Sequence, residues 1–277
     1  MCGCSWLVMG KKYFFLTGIS RAGNTTFASI INQNPDIAVT ANSIVPTLFW
    51  NVHSVKQEEE FINFPDSASV DSLLDNILPS YYKGWKQKYI IDRSSWGLLD
   101  YFKLLKKHVK NDIKIIVLVR DVVEVLASFV KFSNDNPNFF LNKVGKTEEE
   151  KCDYLMRYTQ TNDIGQVYGQ LSAIKNLVRD ENKKYIHIIE YDELVNNPEK
   201  TIDGVYEFLD IPKFKHRFKN LQQIRLNDVA YNDEMLGGDL HKIRSCCVKK
   251  SDYKVSDVLP ENVINKYSGL NLWRGVD

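Results

Sequence analysis

Apolar and polar positions along the chain follow two alternating patterns. Short runs rich in β-branched and aromatic residues, such as "IKIIVLVR" at residues 113–120, predict strands that are buried on both faces. Segments with apolar residues three and four positions apart, such as Phe27, Ile30 and Ile31, predict amphipathic helices. The predicted strands are residues 11–18, 88–93, 113–120 and 184–192, and the predicted helices are residues 24–34, 95–109, 121–132 and 198–211.

The alternation of strand and helix predicts an α/β fold in which helices flank a central parallel sheet. We expect a single domain over residues 12–277 and a leader over residues 1–11 that is disordered or left over from cloning. Residues 133–150 and 228–256 are polar and irregular, and they predict long surface loops, the first of which ends in a helix start. Loops of this kind often carry function in compact domains.

The composition narrows the class of protein. The 36 basic and 35 acidic residues leave a net charge of +1, which argues against a nucleic-acid-binding protein but allows a local basic pocket. No run approaches the roughly 20 apolar residues of a membrane span, and the apolar patch in "MCGCSWLVMGKK" is too short for a secretory signal. The odd number of cysteines, without the usual zinc-site spacing, predicts reduced thiols and a cytoplasmic protein. They are Cys2, Cys4, Cys152, Cys246 and Cys247.

The segment "GISRAGNTT", residues 18–26, follows the first predicted strand and nearly matches a phosphate-binding loop. Its two glycines and Thr25 occupy the expected positions, but Asn24 replaces the lysine, and the cation is Arg21 instead. A strand, a glycine turn and a helix start form an anion site, because the first helical amides are unpaired and the helix dipole is positive there. Arginine adds forked hydrogen bonds to phosphate or sulfate oxygens. The alternative is a capped helix with Arg21 on the surface.

Hydrolysis of a nucleoside triphosphate is disfavoured by the same loop. That chemistry uses the loop lysine on the β- and γ-phosphates together with magnesium. The lysine is absent here, and Asp121, the acidic residue after a strand, follows Arg120, which would compete with a bound cation.

A second motif follows a later strand, where Arg120 ends the run "IIVLV" and Ser128 lies eight residues further on. Together with the first loop, this pair resembles the sulfotransferases that use 3′-phosphoadenosine 5′-phosphosulfate (PAPS). In that family a loop of the type Pro-Lys/Arg-Ser-Gly-Thr/Ser-Thr holds the 5′-phosphosulfate, and an Arg and a Ser eight residues apart hold the 3′-phosphate. The resemblance extends over residues 12–273, through "DRSSWGLLDYFKLL" (92–105), "YDELVNNPEKTIDGVYEFLDIP" (191–212), "LHKIRS" (240–245), "LPENVINKY" (259–267) and "LW" (272–273).

The resemblance implies a three-layer sulfotransferase fold of the P-loop-containing nucleotide hydrolase type, PAPS as co-substrate, adenosine 3′,5′-bisphosphate as product, and no metal. Two departures are Ala22 and Asn24, where the family has hydroxyl residues, although the Asn24 amide can still donate. The Arg-Lys-Gly loop of the cytosolic branch is also absent. A C-terminal basic cluster is expected in its place, the alternative being a solvated surface. The donor-binding residues implied are Ser20, Arg21, Ala22, Gly23, Asn24, Thr25, Thr26, Arg120, Ser128, His241, Lys242 and Arg244.

The reaction implied is in-line transfer of a sulfuryl group to a hydroxyl or amine acceptor, with protein cations in place of magnesium. Arg21 and Arg93 are the predicted catalytic cations at the sulfate. The alternative for Arg93 is a surface ion pair with Asp92.

A hydroxyl acceptor also needs a general base. Some relatives have a Glu about twenty residues after the loop cation, but this chain has Asn42 there, so the acid–base step needs another residue. His53 is the predicted catalytic base, with Asp92 and Glu58 as weaker candidates. An amine acceptor would lessen the need for a base.

The acceptor itself stays open between sugar, lipid, phenol and peptide tyrosine, and we expect a monomer or a homodimer. Two other classes remain: a small-molecule or nucleotide kinase, and a non-catalytic protein that binds a nucleotide. Aromatic residues between the two phosphate motifs could line an acceptor pocket, although core packing is expected for at least half of them. They are Phe49, Trp50, Tyr81, Tyr82, Trp85 and Trp96.

Overall fold

A parallel sheet forms the centre of the molecule. The computed structural model describes residues 10–110, 112–158, 164–223, 225–226, 229–230, 232–243, 248–250 and 252–275. Within them the sheet has five strands in the order β2-β3-β1-β4-β5, and every neighbouring pair is parallel. The strands are β1 (Lys12–Gly18), β2 (Ile37–Val39), β3 (Tyr89–Arg93), β4 (Ile115–Val119) and β5 (Ile186–Glu190).

Helices connect the strands, because parallel strands need a long crossover connection that is usually helical. Those before β4 are α1 (Asn24–Ile31), α2 (Val45–Ser54), α3 (Glu59–Asn63), α4 (Ser67–Asp75), α5 (Ile77–Tyr81) and α6 (Leu99–His108). Those after β4 are α7 (Val122–Asp135), α8 (Leu141–Val144), α9 (Glu148–Met156), α10 (Gln166–Leu177), α11 (Tyr191–Asn196), α12 (Pro198–Leu209) and α13 (Glu261–Tyr267). Short 3₁₀ turns lie at Val55–Gln57, Lys183–Tyr185, Glu234–Leu236 and Val255–Asp257.

The apolar runs of the sequence occupy the middle of the sheet. All five residues of β4 are buried, and β1, which lies between β3 and β4, is buried from Tyr13 to Thr17. Strands covered on both faces need such continuous apolar sequence. The predicted parallel sheet flanked by helices is therefore confirmed, and all four predicted strands are present.

Two parts of the chain differ from the prediction. Residues 133–150 were expected to be a loop, but α7 continues to Asp135 and α8 lies within the segment. The helix start expected at its end is present, because Thr147 accepts a hydrogen bond from the Glu150 amide and opens α9 in a capping box. The short edge strand β2 was not predicted, since three residues are too few to show an alternating pattern.

Asp92 on β3, an interior strand of the sheet, is fully buried. Trp96 Nε1 donates to its Oδ1 at 2.7 Å, and the Tyr82 hydroxyl donates to its Oδ2. Burial raises the pKa of this carboxyl group, and the two donors lower it in part. Asp92 therefore forms no surface ion pair with Arg93 and is not accessible as a general base.

No helix in the described part of the chain combines the length and the apolar character needed to cross a bilayer.

Candidate active site

A cavity of about 640 Å³ opens at the edge of the sheet where the parallel strands end. Its wall is built from the turn after β1, the ends of β3 and β4, one face of α10, and residues 240–242 and 248–249. Open α/β sheets bind ligands at this edge, at the point where the strand order reverses, which here is β1. The volume lies within the range of small-molecule sites.

Glycine is required at both ends of the turn after β1. At Gly18, where φ is 151°, a Cβ atom would lie 2.1 Å from the Leu118 carbonyl oxygen of β4. At Gly23, where φ is 82°, a Cβ atom would lie 3.2 Å from the Tyr191 ring. Both φ angles are ones that side chains with a Cβ rarely adopt. These glycines therefore let the turn pass close to β4 and α11.

The turn presents the start of α1 to the cavity. The first helical bond runs from Phe27 N to Gly23 O at 2.8 Å, so the amides of residues 23–26 lie ahead of it. Helices leave such amides without an intrahelical acceptor, and the dipole adds partial positive charge there. Thr25 and Thr26 line the cavity and are half-buried. This is the geometry of an anion site.

Arg21 connects the first loop to the second motif. Its backbone is left-handed, with φ at 65°, which is uncommon for a residue other than glycine. Its Nε donates to Ser128 Oγ at 3.0 Å, and its Nη1 donates to the Leu240 carbonyl at 3.0 Å. The guanidinium also lies 5.5 Å from the centre of the Phe132 ring. Arg21 is thus held inside the cavity, not on the open surface.

Arg120 lies beside Arg21, at the end of β4. It is 5% exposed, and its Nη1 donates to the Arg21 carbonyl oxygen at 3.1 Å. Its Nε donates to Glu124 Oε2 at 2.9 Å, and the guanidinium lies 4.3 Å from the centre of the Tyr191 ring. Ser128, on the buried face of α7, lines the same cavity. The structure therefore brings the two sequence motifs into direct contact.

Two glutamines of α10 complete the turn, and sequence reasoning missed both. Gln170 accepts from the Ser20 amide at 2.8 Å and donates to Ser20 Oγ at 2.8 Å, while Gln166 donates to the same hydroxyl at 3.0 Å. Their spacing of four residues on one helix face is the sequence signal, but nothing in the sequence shows which loop that face meets. The Ser20 side chain therefore anchors the loop to α10.

The two residues that depart from the family pattern are buried. Ala22 is fully buried, where the small side chain packs in the core. The Asn24 amide donates to the Ile19 carbonyl oxygen at 2.7 Å, across the turn. Asn24 also lines the cavity, and its side-chain amide has two N–H donors, so its use on a ligand oxygen stays a prediction.

Arg93 and Asn42 face the cavity from the other side of β1. Arg93 ends β3 and is half-buried, and its amide donates to Thr40 Oγ1 at 2.8 Å. This contact holds the backbone of Arg93 at the end of β3, beside the cavity that this residue lines. Asn42 occupies the position where some relatives have Glu, and it can donate or accept a hydrogen bond but cannot take a proton.

His53 does not line the cavity. It lies on α2, where its ring is 6.1 Å from that of Trp50 and its buried Nδ1 has no hydrogen-bond partner. Burial and the positive charges of Lys56 and Lys107 lower its pKa. Its position does not support the predicted role as the base, since it lies away from the two motifs. The aromatic residues near it also lie outside the cavity wall, and Phe49, Tyr82 and Trp96 pack in the core.

The predicted C-terminal basic cluster is present in part. His241 and Lys242 line the cavity, whereas Arg244 lies outside the described residues. His241 is 14% exposed, and its Nδ1 lies 2.7 Å from Asp233 Oδ1. Lys242 is mostly exposed, with Asp239 at 3.5 Å. The cavity wall therefore carries several cationic side chains, namely Arg21, Arg93, Arg120, Lys242 and Lys249.

This arrangement can be compared with known proteins. The sequence matches the model of the family described as "Sulfotransferase domain" over residues 11–250. The chain belongs to the sulfotransferase domain family. The resemblance found in the two motifs is thereby confirmed, and the matched range contains every site residue discussed above. Among curated proteins, none matches the sequence of this chain.

Solved structures of two sulfotransferase domains share the fold. The domain from the Synechococcus PCC 7002 olefin synthase is 15% identical, with a TM-score of 0.50 over 89% of this chain and 91% of that one. The domain from the curacin biosynthetic pathway is 14% identical, with a TM-score of 0.50 over 97% and 94% of the two chains. The predicted sulfotransferase fold is therefore confirmed.

The described residues contain no group of three or more histidine, cysteine, aspartate or glutamate side chains that could hold a metal ion.

Proposed function

We propose that this sulfotransferase moves a sulfuryl group from PAPS to a hydroxyl or amine group of a small-molecule, sugar or peptide acceptor. The observation that carries the proposal is the contact between the two anion-binding motifs within one cavity. Arg21 Nε donates to Ser128 Oγ at 3.0 Å, and Arg120 Nη1 donates to the Arg21 carbonyl at 3.1 Å. A donor with negative groups at both ends of an adenosine fits such a pair of sites.

The start of α1 would hold the 5′-phosphosulfate. Amides of residues 23–26 and the hydroxyl of Thr25 point into the region where the helix dipole is positive. As the bond between sulfur and the bridging oxygen breaks, negative charge builds on the leaving phosphate. Amides and Arg21, already fixed in place, would stabilise that charge without reorganisation. This assigns to the protein the work that magnesium does in phosphoryl transfer.

Arg120 and Ser128 would hold the 3′-phosphate. The two hydrogen bonds of Arg120 to Glu124 and to the Arg21 carbonyl account for two of its five N–H donors. Glu124 also pairs with Lys250 at 3.2 Å, so its negative charge is shared between two cations. Fixing the adenosine end would aim the sulfur atom at the acceptor, which is where positioning contributes to rate.

Arg93 is proposed to meet the sulfate from the acceptor side. It lies across β1 from Arg120, because β3 and β4 flank β1 on opposite sides. A cation there would offset charge on the transferred group as it passes between leaving and attacking oxygens. Leu98, Phe140 and Ile164 add apolar surface to the cavity wall, which suits the body of an acceptor.

The test combines binding and transfer. Calorimetry in the presence of a chelator should show binding of adenosine 3′,5′-bisphosphate, and ATP with magnesium should bind far more weakly. Sulfate labelled with ³⁵S should then pass from PAPS to a member of a panel of sugars, phenols, alcohols and amines. Preference for ATP with magnesium would identify a kinase instead. Binding of the bisphosphate without transfer to any acceptor would identify a non-catalytic nucleotide-binding protein.

A further inference from the structure

His241 and Asp233 form a pair at the cavity wall. One carboxylate oxygen of Asp233 lies 2.7 Å from the ring Nδ1 of His241, and the other accepts from the His241 amide at 2.8 Å. The same carboxylate thus holds the imidazole ring and the backbone of one residue. When Asp233 accepts a hydrogen bond from Nδ1–H, the proton of the neutral ring stays on Nδ1. Nε2 is then the basic nitrogen.

The chain around His241 is held against the anion site. Arg21 Nη1 donates to the carbonyl of Leu240, the preceding residue. Gln223 donates to the His241 carbonyl at 3.0 Å and accepts from the Ile243 amide at 3.0 Å. These contacts fix the histidine next to Arg21, which is proposed to stabilise the leaving phosphate. Of the five histidines, all of which the structure describes, only His241 lines the cavity.

We propose that His241 is the general base that removes the proton from the acceptor hydroxyl, with Asp233 as the residue that positions it. The inference rests on the proposed sulfuryl transfer. It gives His241 a role at the acceptor, in place of the contact with the 3′-phosphate expected from sequence. It also replaces His53, which lies outside the cavity.

The step balances as a group transfer. The acceptor hydroxyl loses its proton to Nε2 of His241 while its oxygen forms a bond to sulfur. The bond between sulfur and the bridging phosphate oxygen of PAPS breaks, and its electron pair stays on that oxygen. The products are the sulfated acceptor and adenosine 3′,5′-bisphosphate, and the imidazolium then releases its proton to solvent.

The charges around the ring favour this role. Burial lowers the pKa of His241, as do the positive charges of Arg93 and Arg21, whereas Asp233 raises it. The net lowering of the pKa favours the neutral ring, which is the form that can accept a proton. A bound donor would place negative charge beside both arginines, which would raise the pKa of His241 and strengthen it as a base.

The first test reads the ring directly. Nitrogen-15 NMR of histidine-labelled protein should show His241 as the Nδ1–H tautomer, and addition of adenosine 3′,5′-bisphosphate should raise its pKa. Asp233→Asn should lower that pKa and weaken the tautomer preference. An Nε2–H tautomer in the wild type, or a pKa that the bisphosphate leaves unchanged, would overturn the proposal.

The second test separates chemistry from donor binding. His241→Gln should bind adenosine 3′,5′-bisphosphate within about threefold of the wild type, yet transfer from PAPS should fall about 10²- to 10⁴-fold, the range for a lost general base. The loss should be large for phenol and primary alcohols and small for pentafluorophenol, which is acidic enough to be ionised at neutral pH. His216→Gln, a half-buried histidine bonded to Tyr206 outside the cavity, is the matched control and should keep full transfer.

The possible outcomes separate the proposed sulfuryl transfer from the assignment of His241 as its base. A wild type that does not bind the bisphosphate would contradict the proposed function itself. A wild type that binds and transfers while His241→Gln transfers equally well would overturn only the assignment of the base. Loss on His53→Gln instead of His241→Gln would restore the sequence prediction. A tenfold loss of bisphosphate affinity in His241→Gln would return the residue to the 3′-phosphate.

Discussion

Arg120→Ala should weaken the binding of ligands that carry a 3′-phosphate and leave ligands without one nearly unaffected. The reason is that Arg120 is proposed to contact only that phosphate, while the 5′ end lies at the start of α1. A hydrogen bond between charged groups contributes about 1.5–3 kcal/mol, and about 1.4 kcal/mol is a tenfold change in affinity. One such contact therefore predicts about a 10- to 150-fold loss for adenosine 3′,5′-bisphosphate.

The surroundings of Arg120 add a second contribution. Its loss would leave Glu124, 2.9 Å from it, with Lys250 as its one cationic partner among the described residues, and the less compensated negative charge would repel the phosphate. Arg120→Ala combined with Glu124→Gln removes that repulsion. We expect the double variant to recover part of the lost affinity, and the remainder measures the direct contact.

The assay is calorimetry with adenosine 3′,5′-bisphosphate and with adenosine 5′-phosphate, on the wild type and both variants. Circular dichroism and the urea midpoint check that each variant is folded. Lys213→Ala, which removes an exposed cation paired with Asp203 and Glu207, controls for net charge and should change neither affinity. Equal loss for both ligands in Arg120→Ala, or no loss for either, would refute the assignment.

The remaining predictions concern the turn and the carboxyl edge of the sheet. Gly18→Ala should lower the free energy of unfolding, measured in urea, by about 3 kcal/mol or more, because its Cβ would lie 2.1 Å from a β4 carbonyl oxygen. Gly84→Ala is the control, since its Cβ would meet nothing within 4 Å. Equal effects of the two substitutions would contradict the prediction. Arg274→Ala should lower the free energy of unfolding by about 0.5–1 kcal/mol at pH 7, since Arg274 lowers the pKa of Glu190 in the folded protein. The stability difference between variant and wild type should shrink as the pH falls below the ordinary glutamate pKa of 4.5. A difference that stays constant with pH would contradict this prediction. Gln170→Leu should raise the KM for PAPS several-fold with the urea midpoint nearly unchanged, because the loop loses its anchor; unchanged kinetics would show that the turn holds its shape alone.

The sheet could be predicted from sequence because its central strands are buried on both faces. β4 is an unbroken apolar run of five residues, and β1, β3 and β5 each contain at least three β-branched or aromatic residues. β2 spans only three residues, so no periodicity marks it. Residues 133–150 predict a loop because their sequence is polar and irregular, yet Asn142 on α8 donates to the Ser133 carbonyl of α7 at 2.9 Å and links the two helices.

The anion site was predictable where local sequence determines backbone shape. Gly18 and Gly23 predict the turn, and Arg120 with Ser128 marks the second motif. What could not be predicted depends on contacts between residues far apart in the chain. The bond of Gln170 to Ser20 spans 150 positions, and neither residue indicates the other.

The choice between the histidines likewise depends on contacts that local sequence does not show. His53 and His241 are both isolated histidines in the sequence, and only the fold shows which one lines the cavity. Asp233, the partner of His241, lies eight residues before it, in a segment without helical or strand periodicity. Asp92 was considered as a base, but its burial follows from the tertiary packing of Tyr82 and Trp96 around it.

A crystal structure with adenosine 3′,5′-bisphosphate tests the central claim most directly. The account predicts the 5′-phosphate within hydrogen-bond distance of the amides of residues 23–26, and the 3′-phosphate within the same distance of the Arg120 guanidinium and Ser128 Oγ. A bisphosphate bound elsewhere, or bound with its 3′-phosphate out of reach of both side chains, would contradict it.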